Sequence, residues 1–61
     1  MIDNLTGLYF TKHNENTFEI KVRENDDKYY LFINGKFIKA YKYKMSLYNY
    51  VRINYDTILL F

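Results

Sequence analysis

The sequence predicts an α+β fold that is mainly β: a four-stranded antiparallel meander with a C-terminal helix packed on one face. Asn34-Gly35 sits between two runs rich in aromatic and β-branched residues, which suits strands joined by a two-residue type I′ turn. Phe18, Ile20 and Val22 alternate with Glu19, Lys21 and Arg23, the period of a half-buried strand. Leu47, Tyr50, Val51 and Asn54 follow Ser46 at helical spacing.

The elements follow in chain order. A first strand spans about 5–12, with Leu8 and Phe10 facing inward. His13 to Asn16 is a turn, and the second strand covers 17–24. Asn25-Asp26-Asp27 turns the chain into a third strand, 28–33. A two-residue or a four-residue loop there gives the same register: Val22 opposite Tyr29, Ile20 opposite Leu31, Phe18 opposite Ile33. A slip of one residue would throw the apolar set onto the wrong face. Beyond Asn34-Gly35 a fourth strand runs 36–44. Simple alternation pairs Ile33 with Lys36, Phe32 with Phe37, Leu31 with Ile38, Tyr30 with Lys39, Tyr29 with Ala40 and Lys28 with Tyr41. Ser46 then caps a helix over 46–54 that lays Leu47, Tyr50 and Val51 on the sheet. The tail 56–61 reads as a short strand or as more helix, and Tyr48 to Tyr55 has the composition of a fifth strand as an alternative.

A chain of 61 residues is a single small domain. It buries only about 60% of the surface its unfolded chain exposes, against an ordering cost of about 1.5 kcal/mol per residue. Cys is absent, which removes disulfides and thiolate metal sites, and His13 is the only His. Dense aromatic packing and self-association are the supports left, and eight Tyr with five Phe supply the rings. A homo-oligomer is therefore expected. No apolar run is long enough for a membrane-spanning helix, and Ile2-Asp3-Asn4 does not resemble a signal peptide. The expected location is the cytoplasm of a bacterial host. Residues with AT-rich codons (Phe, Tyr, Met, Ile, Asn and Lys) make up more than half the chain, while Gly is scarce and Pro absent. That bias points to an AT-rich genome, such as that of a low-GC bacterium, its phage or its plasmid.

The register leaves the sheet with two unlike faces. One carries the apolar set under the helix. The other is expected to hold a binding face of Tyr9, Lys21, Arg23, Tyr30, Phe32, Phe37, Lys39, Tyr41 and Tyr43, with nothing in the chain to cover it. Contiguous aromatic surface of that kind marks an interface, and Tyr, Phe and Arg are enriched at protein contacts. The expected function is a small non-enzymatic phage or mobile-element protein that binds and inhibits a host defence-type protein. The alternative is single-stranded DNA or RNA binding, with bases stacked on the same rings. Against it, alternation puts Lys39 on the aromatic side and Lys36, Lys42 and Lys44 on the other. A net charge of +2 argues against an acidic mimic of DNA.

No enzyme chemistry is expected. His13 falls in a turn, and Ser46 is the only Ser and fits a helix cap. Glu24, Asp26 and Asp27 lack the spacing of a calcium loop. Gly7 and Gly35 are the only glycines, so there is no phosphate-binding loop. The sequence thus offers no catalytic, cofactor or metal residues.

Overall fold

A computed structural model of the chain describes residues 4–61. Four strands form one antiparallel sheet in the order β1-β2-β3-β4: β1 Thr6–His13, β2 Asn16–Val22, β3 Tyr29–Ile33 and β4 Lys36–Tyr41. Among the described residues a single helix, α1, spans Lys44–Tyr55. The meander and its C-terminal helix are as the sequence predicts. No helix among the described residues is long and apolar enough to cross a membrane.

Two tight hairpins set the frame. Asn34 and Gly35 have φ of 53° and 81°, and Asn14 and Glu15 have φ of 50° and 67°. Two consecutive left-handed residues match the right-handed twist of the strands they join. Asn34 does a second job. Its Oδ1 accepts the Thr17 backbone N–H at 2.9 Å, its Nδ2 donates to Asn16 Oδ1 at 2.9 Å, and its own N–H donates to the Thr17 carbonyl at 2.9 Å. The turn residue thereby extends the β2–β3 ladder by one pair beyond Ile33. Within that ladder Phe18, Ile20 and Val22 lie opposite Ile33, Leu31 and Tyr29, the expected register.

Both edge strands depart from simple alternation, and each does so by one extra residue. On β1, Gly7 pairs with Lys21 and Tyr9 with Ile20, which leaves Leu8 as a bulge. Tyr9 and Thr11 therefore share the face of Ile20 and Phe18, and the expected inward pair Leu8 and Phe10 is exposed. On β4, Phe37 pairs with Phe32 and Lys39 with Leu31, so Ile38 is the extra residue. The expected partners Leu31–Ile38, Tyr30–Lys39 and Tyr29–Ala40 become Leu31–Lys39, Tyr30–Ala40 and Tyr29–Tyr41. β-Bulges shift side chains across the sheet and strengthen local twist, and edge strands tolerate them because one side of the ladder is unpaired.

The inner face is closed in two lanes. In the first, α1 packs over β3 and β4. Leu47 and Val51 are fully buried with Phe18, Ile20 and Leu31, and Tyr50 lies against Tyr41 with ring centroids 6.2 Å apart. Each aliphatic or aromatic side chain buried this way contributes about 1.5–3 kcal/mol. The second lane is the tail after α1, which forms neither the short strand nor the helical continuation expected of it. Asp56 ends the helix in the left-handed region at φ 52°, its N–H donating to the Arg52 carbonyl. Thr57 and Leu59 then point inward and are buried, while Ile58 and Leu60 point outward. Phe61 stacks on Tyr9 at 5.3 Å and meets Tyr48 edge-on at 5.3 Å and Tyr29 at 5.9 Å. The Tyr48 hydroxyl donates to the Phe61 carbonyl, and Tyr9 Oη accepts the Leu60 N–H at 3.2 Å.

The helix also starts earlier than expected. Tyr43 is its extended N-cap without a side-chain cap bond, so the predicted fourth strand stops at Tyr41 rather than 44 and Ser46 is an exposed residue of the first turn. Asn54 is exposed and its Nδ2 donates to the Tyr50 carbonyl at 2.9 Å. The fifth-strand alternative for Tyr48 to Tyr55 does not occur.

Two stability predictions follow from these contacts. Asn34→Gly keeps the turn conformation but loses the side-chain bonds, at a cost of about 1 kcal/mol. Asn34→Ala also forces a Cβ-bearing residue without local bonds into the left-handed region, costing about 1 kcal/mol more. Urea midpoints of the two variants should rank in that order. In the tail, Leu59→Ala and Phe61→Ala should each cost about 2–4 kcal/mol. Ile58→Ala and Leu60→Ala should stay within about 0.5 kcal/mol in the same assay.

Candidate interaction face

The outer face of the sheet is built by the side chains that alternate away from α1. One row crosses all four strands, Phe10–Glu19–Phe32–Phe37, and a second carries Lys21–Tyr30–Ala40. Arg23, just past β2, belongs to the same face. Of the nine residues expected there, Lys21, Arg23, Tyr30, Phe32 and Phe37 come together.

Their packing changes the character of the face. Tyr30 is only 6% exposed and Phe32 9%, although among the described residues no second layer lies over them. Their cover comes from the same face. Lys21 Nζ sits 4.7 Å above the Phe32 ring and the Arg23 guanidinium 5.3 Å above Tyr30. Phe37 meets Tyr30 at 6.0 Å and Phe32 at 5.6 Å. Long cationic side chains can lay their methylenes along rings while the charge stays wet, and the ring quadrupole adds attraction. The expectation that nothing in the chain covers this face is therefore corrected for its centre. A base cannot stack on Tyr30 or Phe32 without displacing Arg23 or Lys21.

The loop between β2 and β3 pins this layer. Tyr30 Oη donates to Asp26 Oδ2, and Arg23 Nη1 stands 3.7 Å from the same oxygen. Asp26, which the sequence marks only as a turn residue, thus joins the cation and the ring. The second ion pair, Lys21 to Glu19, spans 4.0 Å at the surface and adds little. The hydrogen bond to Asp26 raises the Tyr30 phenol above its ordinary value of 10.0, with burial in support and Arg23 in opposition. Burial likewise raises Tyr41, helped by its neighbour Tyr50.

The other expected residues lie elsewhere, each for a backbone reason. The bulge at Leu8 turns Tyr9 to the inner face, where it stacks on Phe61. The bulge at Ile38 places Lys39 and Tyr41 opposite Leu31 and Tyr29, on the helix side, with Lys39 Nζ 5.3 Å above the Tyr41 ring. Tyr43 caps α1 and is 64% exposed. The residue that sequence reasoning missed is Phe10. It sits 64% exposed at one end of the outer row, with Phe37 42% exposed at the other. Gly7 was the available signal, since an isolated Gly within a strand marks a bulge.

His13 is exposed at the end of β1. Among the described residues no three His, Asp or Glu side chains gather as a metal site.

No protein-family model, curated protein or solved structure matches this chain.

The Tyr30–Asp26 pair makes a pH prediction. A phenolate at Tyr30 would face the Asp26 carboxylate, so the folded state holds the proton more tightly than the unfolded state does. The stability this contributes is complete below pH about 10, where the unfolded phenol titrates, and is lost as pH rises through the higher folded value. In an alkaline absorbance titration, Tyr30 and Tyr41 should each ionise above the ordinary value of 10.0. Tyr30→Phe should remove one of those late transitions, and Asp26→Asn should move it to lower pH.

Proposed function

We propose that this chain is a small non-enzymatic interaction protein, encoded by a phage or mobile element of an AT-rich bacterium, that binds and inhibits a host defence-type protein. The observation that carries the reading is the outer row. Two exposed phenylalanines, Phe10 and Phe37, flank a centre that its own cations and rings already hold in place. Such a surface loses little side-chain entropy on docking, because Tyr30, Phe32, Lys21 and Arg23 are ordered before the partner arrives. Exposed aromatic anchors beside a preorganised centre are what a protein interface uses. The host assignment rests on the AT-rich codon bias of the sequence. We read the chain as a homo-oligomer as well, since its short length leaves it little core of its own.

The test is affinity capture from an AT-rich bacterial host with the native chain and with Phe10→Lys and Phe37→Lys, each checked for native circular dichroism. One host protein should be retained by the native chain, lost from both variants, and inhibited by the native chain when purified. Recovery of self-copies alone, or equal retention by both variants, would contradict the reading. Sedimentation of the native chain should give a mass above the 7.5 kDa of one copy.

A further inference from the structure

The modest net charge of +2 conceals a polar division along the chain. From Lys28 to Tyr55 there is no Asp or Glu, while Lys28, Lys36, Lys39, Lys42, Lys44 and Arg52 all fall in that stretch. It corresponds to β3, β4 and α1. Simple alternation would scatter the lysines of β4 over both faces. The bulge at Ile38 prevents this, because Lys36 and Lys39 lie opposite Ile33 and Leu31, both inner-face residues. Lys44 reaches the same side, its Nζ 5.4 Å from the Phe61 ring and 5.9 Å from Tyr29. Lys42 Nζ lies 5.8 Å from the ring of Tyr43, which is largely open to solvent. All four lysines are exposed, and among the described residues neither ion pair involves any of them.

We propose that this ridge, Lys36, Lys39, Lys42 and Lys44 with Tyr43, binds single-stranded nucleic acid. Edge protection explains only part of it. Lysines on β4 deter edge-to-edge pairing, but Lys42 and Lys44 lie beyond the strand, where no ladder is left to guard. The ridge follows β4 from Lys36 to Tyr41, about 17 Å of strand, and turns through the bend at Lys42 and Tyr43 to Lys44 at the start of α1. That suits a short single strand, about 4 nucleotides at the low end of known site sizes. Cations interleaved with ring faces match a strand whose phosphates repeat and whose bases stack, and Tyr43 offers the open ring. This surface is separate from the outer row, so the two readings stand or fall independently.

The experiment is fluorescence anisotropy of a labelled oligothymidylate of about 12 nucleotides, titrated with the full chain over a range of salt. Binding is expected at about 50 mM salt, with a log–log slope of about −3 if four phosphates are neutralised. The double variant Lys39→Gln/Lys42→Gln should roughly halve that slope. Tyr43→Ala should weaken binding about tenfold with the slope unchanged. The control Lys12→Gln/Lys28→Gln should match the native chain on every measure, and circular dichroism should confirm that each variant folds. No binding at low salt would overturn the proposal. So would an unchanged slope in the Lys39/Lys42 variant, or equal affinity for a polyglutamate peptide, which would instead identify an acidic-protein site. Phe10→Lys should leave oligonucleotide binding intact.

Discussion

One helix cannot cover a four-stranded sheet, and the architecture of this chain follows from that shortfall. Strands lie about 4.8 Å apart, so the sheet is wider than the roughly 10 Å that a single helix shields. α1 takes the β3–β4 half through Leu47 and Val51. It also reaches β2 through Tyr55, whose ring lies 5.5 Å from Phe18, and the β1 edge is left to an irregular tail that turns inward at Thr57 and Leu59 and ends its contacts with Phe61. Phe61 touches β1 through Tyr9, β3 through Tyr29 and α1 through Tyr48, so one ring joins the sheet edge, the sheet centre and the helix. The tail has no ladder of its own. Its polar groups are met by the tyrosines it packs on, Tyr9 for the Leu60 N–H and Tyr48 for the Phe61 carbonyl. Aromatic side chains suit this use because each brings large apolar area and one polar tip.

The two bulges are the counterpart of that cover. Tyr9 can stack on Phe61 only because the extra residue at Leu8 brings it inward. The price is that Phe10 faces water. On the other edge, the extra residue at Ile38 brings Tyr41 under Tyr50 and carries Lys39 to the same side. Edge geometry chosen by the core thus decides what the surface presents: exposed phenylalanines at both ends of the outer row, and a file of lysines beside the helix. Between them, Tyr30 and Phe32 are covered by Arg23 and Lys21, with Asp26 fixing the arrangement.

The centre of the fold was legible in the sequence and its edges were not. β2 and β3 pair without a bulge, so the alternation of Phe18, Ile20 and Val22 reads directly as register. The type I′ turn at Asn34-Gly35 is equally local, since it depends on two residues that accept positive φ. Alternation fails where a residue is inserted, and the signs of insertion were faint: Gly7 inside β1, and the adjacent apolar pairs Phe37-Ile38 and Ala40-Tyr41 in β4. Ser46 misled because a cap depends on where the chain leaves extended conformation, and Tyr43 does so three residues earlier. The candidate face was half legible for the same reason. Its β2 and β3 members are as expected, while Tyr9, Lys39 and Tyr41 follow the bulges to the other side. Self-cover by Lys21 and Arg23 is a matter of side-chain reach, which strand period does not encode.

The tail is therefore the second part of the cover, with Phe61 seated among three tyrosines. The most direct test is a nuclear Overhauser spectrum with aromatic assignments. The Phe61 ring protons should show cross-peaks to the rings of Tyr9, Tyr29 and Tyr48, alongside cross-peaks from Leu47 and Val51 to Leu31. Helix-to-sheet cross-peaks with no contact from Phe61 to any of the three rings would contradict it.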